Sequence, residues 1–401
     1  MAKTKSNRRA NGEGSVYQRS DGRWVATYYE PTGKLKSCYG STQAEALQKR
    51  ADIRKQVARD EYAPPSKLKT EVWLMRWWEE YHRIKVRTST ASRTLGNIKN
   101  HLIPSLGTIP LQSLTTDRIQ AMTNKLHESG YAPATINQIL CDLNGAMQQA
   151  EDLNLIARNP VTKVKHPKHQ PTEAEFLTPD EEARFLAALP DNTDGRIMRL
   201  ILRYTGLRIG EVLALSWSDI RKDDNGNYQL SISHTSEQFY DYGSKKESKT
   251  ACIISAPKTK SGIRCLPLSQ EGMALLEQQR QAQIIDKKAA IKMGIGWPTN
   301  DLVFTSSNGQ HKDRWNVGRS LRKVIEKAGI QEKHGGIGLH TLRHTFLTNL
   351  MHATGNPKLV STFAGHSKVA FTMQVYAHNS MDDLRTGLQA LEERRSAIGF
   401  Y

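Results

Sequence analysis

Two polar, proline-containing segments interrupt this chain of 401 residues and limit what it can fold into. The first lies at residues 63–66 (APPS), and the second covers residues 161–176, which hold two prolines and show no helical periodicity. Because a single hydrophobic core rarely serves so long a chain, we expect each break to separate units that pack independently. The sequence therefore predicts three domains, at residues 1–65, 66–166 and 167–401.

The N-terminal region alternates apolar and polar residues between the turn sequences DG at 21–22 and PTG at 31–33. This pattern predicts a sheet of three short strands. A helix should follow, capped by Ser41 or Thr42, with Ala44 and Leu47 on its apolar side. Four basic residues on the strands predict a face laid against DNA, with a merely solvated basic surface as the alternative: Arg19, Arg23, Lys34 and Lys36.

The middle region is predicted to be helical. Residues 67–166 show four stretches of helical periodicity, of which the second stops before Pro104 and the last two cover 114–127 and 134–153. Three tryptophans within six positions mark the first helix, and such a cluster more often builds a core than stacks on bases: Trp73, Trp77 and Trp78. Basic residues at the end of the first helix and along the second predict contacts with phosphates: Arg83, Lys85, Arg87, Arg93 and Lys99.

A helix start follows the second break. Thr178 precedes a proline and has an acidic residue three positions beyond it, which is typical of a capped helix. Further helices, a few strands between residues 228 and 268, and helices to the C-terminus are expected after it. The whole chain is therefore predicted to be mostly α with small β elements (α+β).

Charge points to a polyanionic partner. Lysine and arginine outnumber aspartate and glutamate by 57 to 40, for a formal net charge of +17, and this excess favours nucleic acid. No apolar run approaches the roughly 18 residues that span a bilayer, and the basic N-terminus precedes no apolar core, so we expect a cytoplasmic protein without a membrane partner. The four cysteines are scattered without C-x-x-C pairing, which favours reduced thiols over a zinc site or disulfides.

The motif TGLRIGE places one arginine, Arg208, among apolar residues. A buried unpaired charge is costly, so this arginine needs a partner, and Glu211 stands three residues away. An internal ion pair with no further role is the alternative to an anion-binding arginine.

Three motifs near the C-terminus supply further groups for phosphodiester chemistry. HTLRH puts His340 and Arg343 on one face of a helix, AGHS places His366 at a turn, and QVYAH contributes Tyr376. A tyrosine hydroxyl with a pKa of about 10 is a weak nucleophile at neutral pH, and guanidinium groups can neutralise the charge that grows on an attacked phosphate. The chain has neither a phosphate-binding loop nor the acidic cluster of two-metal nucleases, so we expect no metal and no cofactor.

In these motifs the chain resembles the tyrosine recombinases of the phage and conjugative-transposon integrase type. TGLRIGEVLALSWSDI is similar to the family's first arginine box, LHTLRHTF to its H-x-x-R box, and TFAGHSKVAFTMQVYAH to the stretch that ends in the nucleophile. The likeness covers nearly the whole chain. It implies an N-terminal arm-type DNA-binding domain, a four-helix SAM-like core-binding domain and a mixed α/β catalytic domain.

The resemblance implies a site-specific DNA recombinase that integrates and excises a mobile element through a 3′-phosphotyrosine intermediate. In that role Tyr376 attacks the scissile phosphate, Glu211 supports the site, and four residues bind and activate the phosphate: Arg208, His340, Arg343 and His366. The family also has a catalytic lysine on a turn between two strands, which APKTKSGIRCLPL at residues 256–268 resembles. Lys258 matches that position better than Lys260, although a polar insertion at residues 236–250 makes the alignment less direct.

By the same resemblance, the expected partners are double-stranded DNA attachment sites, three further copies of the chain in a tetramer, and accessory DNA-bending and excision-directing proteins, and the expected location is the nucleoid within the cytoplasm. Two alternatives are a type IB topoisomerase and a catalytically silent DNA-binding regulator. The separate basic N-terminal sheet favours the recombinase over the first, and the complete set of reacting groups favours it over the second. Tyr401 lacks the neighbouring His366 and is not expected to be the nucleophile.

Overall fold

The structure is a computed structural model that describes residues 14–30, 33–58, 66–168, 175–242, 250–257, 259–331 and 336–370. The chain divides into two compact units, Met1–Gln170 and Pro171–Tyr401. None of the helices in these described ranges is long and apolar enough to cross a membrane. The architecture is α+β, as predicted, with small antiparallel sheets among many helices.

The first unit begins with a three-stranded antiparallel sheet and one helix, as the sequence predicts. The sheet has the order β1 (Val16–Gln18), β2 (Trp24–Tyr29), β3 (Leu35–Gly40), and α1 (Gln43–Ala58) packs on it. The prediction for the buried side of α1 was wrong, because Ala46 is buried while Ala44 and Leu47 are exposed. Gly40 sets this rotation, since a Cβ there would lie 2.6 Å from the Ala46 nitrogen, so strand and helix meet closely at this point.

The rest of the first unit is the predicted set of four helices. The first is α2 (Thr70–Trp77) with a π-helical turn (Trp78–His82), and the second is α3 (Thr88–Asn97) with a π-helical turn (Ile98–Leu102) and α4 (Ile103–Leu106). The third and fourth are α5 (Thr116–Glu128) and α6 (Pro133–Asp152). The expected stop before Pro104 was wrong. The proline lies in the first turn of α4, directly after the widened turn, where its lack of an N–H is tolerated.

The tryptophans of the first helix lie in the core, as predicted. Trp73 is fully buried and its indole N–H donates to the Ala146 carbonyl oxygen at 2.9 Å, and Trp77 is 5% exposed. Trp78 is half-buried and donates to the Ala91 carbonyl oxygen at 2.8 Å. The apolar face of each helix meets this cluster, which explains why four short helices hold together.

The second unit starts at the predicted cap. Thr178 and Glu181 form a capping box at the start of α7 (Pro179–Ala188). Then come α8 (Thr193–Arg199), a π-helical turn (Leu200–Thr205) and the short α9 (Ile209–Leu213).

The strands of the second unit form two small antiparallel sheets. They are β4 (Ile220–Lys222), β5 (Tyr228–Ile232), β6 (Thr235–Tyr240), β7 (Thr250–Ser255) and β8 (Arg264–Pro267). One sheet has the order β4-β5-β8, and the other pairs β6 with β7. The polar insertion noted at residues 236–250 therefore runs from β6 to the start of β7. The later helices are α10 (Gln270–Lys292), α11 (Arg314–Lys327), α12 (Leu339–Thr354) and α13 (Pro357–Ala364). Buried residues of α7, α8, α9, β5, β8, α10 and α11 share one core, and the polar motifs lie at its edge.

Candidate active site

The first arginine box forms the predicted ion pair. Arg208 stands at the N-cap of α9, and its Nη1 donates to Glu211 Oε1 at 3.0 Å. The Arg208 backbone N–H donates to the other carboxylate oxygen at 2.9 Å. Glu211 is almost fully buried, whereas 36% of the Arg208 side chain is exposed. The carboxylate therefore holds Arg208 from the protein side and leaves part of the guanidinium open to an incoming anion.

Arg343 is the buried arginine of the site. It lies in α12, is 3% exposed, and its Nη1 donates to the Gly206 carbonyl oxygen at 2.8 Å. Its Nη2 donates to the Ala364 carbonyl oxygen and lies 3.5 Å from His366 Nε2. Nη1 is also 4.0 Å from Glu211 Oε2. These contacts join the first arginine box, the H-x-x-R box and the A-G-H-S turn at one place, although residues 206 and 364 are far apart in the chain.

Two of the histidines come from predicted positions and a third is new. His340 occupies the first turn of α12, three residues before Arg343, and His366 follows Gly365, which ends α13 in the left-handed conformation. His344, one helical turn after His340, has its ring centroid 6.4 Å from that of His340. A histidine four residues after the first in HTLRH was the available sequence signal for it.

All three imidazoles are held in the neutral form. Burial, together with the positive charge of Arg343, lowers the pKa of His366 to about 4. Burial, with the nearby His340 and Arg343, lowers the pKa of His344 to about 4. The pKa of His340 is also lowered, by burial and then by Arg343 and other arginines. Neutral imidazoles can donate or accept a hydrogen bond at pH 7 without adding charge beside the guanidiniums.

A further arginine at the site was missed by the sequence motifs. Arg264, at the start of β8, directs Nη1 and Nη2 to the two carboxylate oxygens of Glu211, each at 3.0 Å, and only 5% of its side chain is exposed. Burial alone raises the pKa of Glu211. The hydrogen bond and charge of Arg264 and the charge of Arg208 outweigh it, so the pKa is lowered and the carboxylate stays ionised.

The remaining predicted catalytic residues are Tyr376, Lys258 and the alternative lysine, Lys260. Lys258 and Tyr376 lie outside the described residues. Lys260 begins a short 3-10 turn, Lys260–Gly262, directly before β8, and its side chain lies outside what is described. The neighbouring Gly262 carbonyl accepts from Arg264 Nη1 at 3.1 Å, so this connection is attached to the site.

The basic residues predicted to face DNA lie at the surface, but most of those in the N-terminal sheet are not on the predicted strands. Of the four in the N-terminal sheet, only Lys36 is on a strand. The other three lie in turns, because the DG and PTG sequences keep them outside the ladders: Arg19, Arg23 and Lys34. Arg23 donates to Asp21 at 2.6 Å, which reduces the free charge of that turn. The basic residues predicted for the four-helix region lie at the end of its first helix and along its second, as predicted: Arg83, Lys85, Arg87, Arg93 and Lys99.

The geometry is that of an anion site. Three guanidinium groups, those of Arg208, Arg264 and Arg343, meet around the buried carboxylate of Glu211, and the imidazole of His366 lies beside Arg343. Of the three arginine side chains, that of Arg208 remains partly exposed to solvent. Such preorganised donors stabilise charge that develops on a phosphate far better than water can. Among the described residues, no group of three or more histidine, cysteine, aspartate or glutamate side chains has the arrangement of a metal site.

Comparison with known protein families matches two regions of the chain. The sequence profile of the phage integrase family matches residues 175–383, more than half of the chain, and that of the phage integrase N-terminal SAM-like domain matches residues 71–127. The chain is 27% identical, over 87% of its length and 90% of the relative's, to a XerC-like tyrosine recombinase of Caldanaerobacter subterraneus. It is 26% identical, over 78% of its length and 75% of the relative's, to the transposase of transposon Tn916 from Enterococcus faecalis.

Solved structures show the same fold. The Tn1549 transposon integrase in complex with transposon right end DNA has a TM-score of 0.60 at 23% identity, covering 81% of this chain and all of that one. A lambda integrase tetramer bound to a Holliday junction has a TM-score of 0.55 at 19% identity, covering 94% of this chain and 99% of that one. The family profile and the relatives support the recombinase over the topoisomerase and the silent regulator. This chain belongs to the phage integrase family and is a tyrosine-type site-specific DNA recombinase.

Proposed function

We propose that the cluster around Glu211 holds the scissile phosphate of a DNA attachment site and that Tyr376 attacks it. The observation that carries the proposal is the convergence of Arg208 and Arg343 at one buried carboxylate, with His366 3.5 Å from the Arg343 guanidinium. An arginine pair at a phosphate neutralises the charge that grows on the nonbridging oxygens, and one such donor is worth roughly 3 to 4 kcal/mol in a site that excludes water.

The two arginines differ in what they can do. Arg343 donates hydrogen bonds to two backbone carbonyls, so its position is fixed before DNA binds. Arg208 is more exposed and contacts one carboxylate, so it can turn a free edge of its guanidinium to the phosphate. His340 and His366, being neutral, complete the site as hydrogen-bond donors to the nonbridging oxygens.

The chemistry is a reversible exchange of one phosphodiester for another. The hydroxyl of Tyr376 passes its proton to the neutral imidazole of His340 or His366, and the phenolic oxygen bonds to phosphorus. The bond to the 5′-oxygen breaks, and Lys258, or Lys260 in its place, gives that oxygen a proton. The product is a 3′-phosphotyrosine, which the 5′-hydroxyl of a second DNA strand attacks in the reverse sense. The ester bond is retained throughout, so the reaction needs no ATP, and we propose that it needs no divalent metal.

We further propose that the parts of the chain share the work of DNA binding. Residues 1–65 bind distant arm sites through Arg19, Arg23, Lys34 and Lys36, residues 66–166 contact core-site phosphates through the basic residues of the first two helices, and residues 167–401 carry out cleavage. Because the lambda integrase is a tetramer on a Holliday junction, we propose a tetramer here too, acting at the cytoplasmic nucleoid with accessory DNA-bending and excision-directing proteins.

A nicked suicide duplex tests the mechanism. The core site is taken from the sequenced junctions of the mobile element with its host, and the nick lets the fragment beyond the cleaved bond diffuse away, so that the covalent adduct accumulates. We expect the adduct to form in EDTA, to disappear in Tyr376→Phe, and to persist in the matched control Tyr401→Phe. An adduct in Tyr376→Phe would assign the nucleophile elsewhere, and a strict requirement for magnesium would reject the mechanism.

A further inference from the structure

Arg264 has a buried guanidinium and lies in the same stretch, residues 256–268, as the predicted catalytic lysine, but the proposed reaction gives it no role. Four of its five N–H groups have partners: two meet Glu211 as a fork at 3.0 Å each, Nη1 also meets the Gly262 carbonyl at 3.1 Å, and Nε donates to the Phe363 carbonyl at 3.0 Å. Arg264 therefore contacts both the first arginine box, through Glu211, and α13, through Phe363. Few of its N–H groups remain to bind a substrate.

The fork determines where Glu211 points. A bidentate arginine–carboxylate pair fixes both the distance and the plane of the carboxylate. Glu211 in turn accepts from the Arg208 backbone N–H and from Arg208 Nη1. Without Arg264, the buried carboxylate would lose the fork that compensates for its burial and would be free to rotate, and the Arg208 guanidinium would move with it.

The same guanidinium supports the turn that carries His366. A Cβ on Gly365 would lie 2.9 Å from Arg264 Nη1 and 3.1 Å from the Ser261 carbonyl oxygen. Glycine at this position, with φ 60°, therefore allows the turn to press directly on Arg264. The Phe363 carbonyl, three residues before His366, is held by the same side chain.

We propose that Arg264 is a positioning residue for DNA cleavage, which acts through Glu211 to orient Arg208 and through the end of α13 to place His366. The inference rests on the function proposed above. Lysine cannot replace Arg264 fully, because an ammonium group is a point charge that cannot make the planar fork.

The test is a double-mutant cycle in single-turnover cleavage of the suicide duplex by the full chain. The variants are Arg264→Gln, Glu211→Gln, the double variant and Arg264→Lys. The matched control is Arg221→Gln, which removes an exposed arginine of the same sheet whose Nε donates only to the Ser218 carbonyl among the contacts that the structure gives it. The rate constant is read separately from the amplitude, because unfolded protein lowers the amplitude while the rate reports the folded, DNA-bound fraction. DNA affinity is measured in parallel by fluorescence anisotropy.

We expect Arg264→Gln to lower the cleavage rate by about 30- to 100-fold, since a misplaced Arg208 forfeits part of what one electrostatic donor provides. The DNA dissociation constant should change by less than about 3-fold. Glu211→Gln should give a similar loss, and the double variant should lie within about 3-fold of the worse single variant, because residues that act as a unit are not additive. Arg264→Lys should recover part of the rate, to about 10-fold below the unmodified chain.

Multiplicative losses in the double variant would overturn the proposal, as would an unchanged rate in Arg264→Gln or a loss confined to the amplitude. If Arg264→Gln does not fold, Arg264→Lys tests the proposal instead. A cleavage rate of Arg264→Lys equal to that of Arg221→Gln would show that the bidentate contact with Glu211 is not needed. Failure of the proposed function itself looks different, because neither the unmodified chain nor Arg221→Gln would then form an adduct through Tyr376.

Discussion

Gly206 links backbone conformation to the placement of the buried arginine, and a single methyl group at this position tests that link. The residue follows the π-helical turn Leu200–Thr205 with φ 59°, and its carbonyl accepts from Arg343 at 2.8 Å. A Cβ at this position would lie 2.4 Å from Phe346 Cδ1. Phe346 is three residues beyond Arg343 on α12, and its ring centroid is 6.0 Å from that of Phe363. A shift of Phe346 would therefore disturb both sides of the site.

The cost of Gly206→Ala has two parts. The left-handed backbone costs a non-glycine residue about 1 kcal/mol. Moving the Phe346 ring by about 1 Å to a normal contact distance adds about 1 to 3 kcal/mol, as for other overpacked sites. Gly226→Ala is a matched control, because Gly226 has φ 79° and an added Cβ would meet nothing within 4 Å. We expect that variant to show the backbone cost alone.

Urea unfolding and suicide-duplex cleavage measure the two consequences. We expect Gly206→Ala to lose at least about 1 kcal/mol more unfolding free energy than Gly226→Ala, and to cleave about 10- to 100-fold more slowly because a small misplacement of a catalytic group is costly. Gly226→Ala should cleave at the unmodified rate. Equal losses of stability in the two variants would refute the assigned clash, and unimpaired cleavage by Gly206→Ala would refute the link to Arg343.

Three further perturbations have defined outcomes. His344 and His366 have pKa values of about 4 in the folded chain against about 6.5 unfolded, so only the unfolded chain takes up their protons between those values. Stability is therefore lost as pH falls from 6.5 toward 4, by up to about 2 kcal/mol for each histidine at pH 5, and urea titrations at pH 7 and 5 should show a smaller loss for His366→Gln. Trp73→Phe removes the indole N–H that donates to the Ala146 carbonyl and leaves unfilled space in the core, so it should cost about 1 to 3 kcal/mol in urea unfolding. The exposed Trp315→Phe should stay within about 0.5 kcal/mol, and equal effects would contradict the contact. Lys258→Ala should slow cleavage. A substrate with a 5′-bridging sulfur at the scissile phosphate should restore the rate of this variant, because a thiolate leaves without a proton. If the sulfur substrate instead rescues Lys260→Ala, Lys260 is the residue that protonates the leaving oxygen.

Helices and short-range motifs could be predicted from the sequence because their physics is local. The capping box at Thr178 and the one-face placement of His340 and Arg343 depend on residues within a single helical turn. The face of α1 could not be predicted, because that helix has few large apolar residues and its rotation depends on the close approach of Gly40 to Ala46.

The role of Arg264 could not be predicted from the sequence for the opposite reason, since it depends on partners that are far away along the chain. In a short strand of alternating residues, an arginine normally indicates a solvent-facing position. Its partner Glu211 precedes it by 53 residues, and the carbonyl of Phe363 follows it by 99. The R-x-x-E spacing predicts that Glu211 serves Arg208, and nothing in that spacing indicates that the carboxylate serves a second guanidinium as well.

Burial and the charge balance of the site together explain why its histidines are neutral. Arg208, Arg264 and Arg343 lie within 4.0 Å of the single carboxylate of Glu211, which leaves an excess of two positive charges in a poorly solvated place. Burial is the main cause of the lowered pKa values of the imidazoles, and this excess of positive charge lowers them further. A DNA phosphate brings the missing negative charge. On the proposed function, its arrival satisfies the arginines and at the same time makes protonation of His340 or His366 less unfavourable, so the substrate itself prepares the site to stabilise the charge that grows during attack.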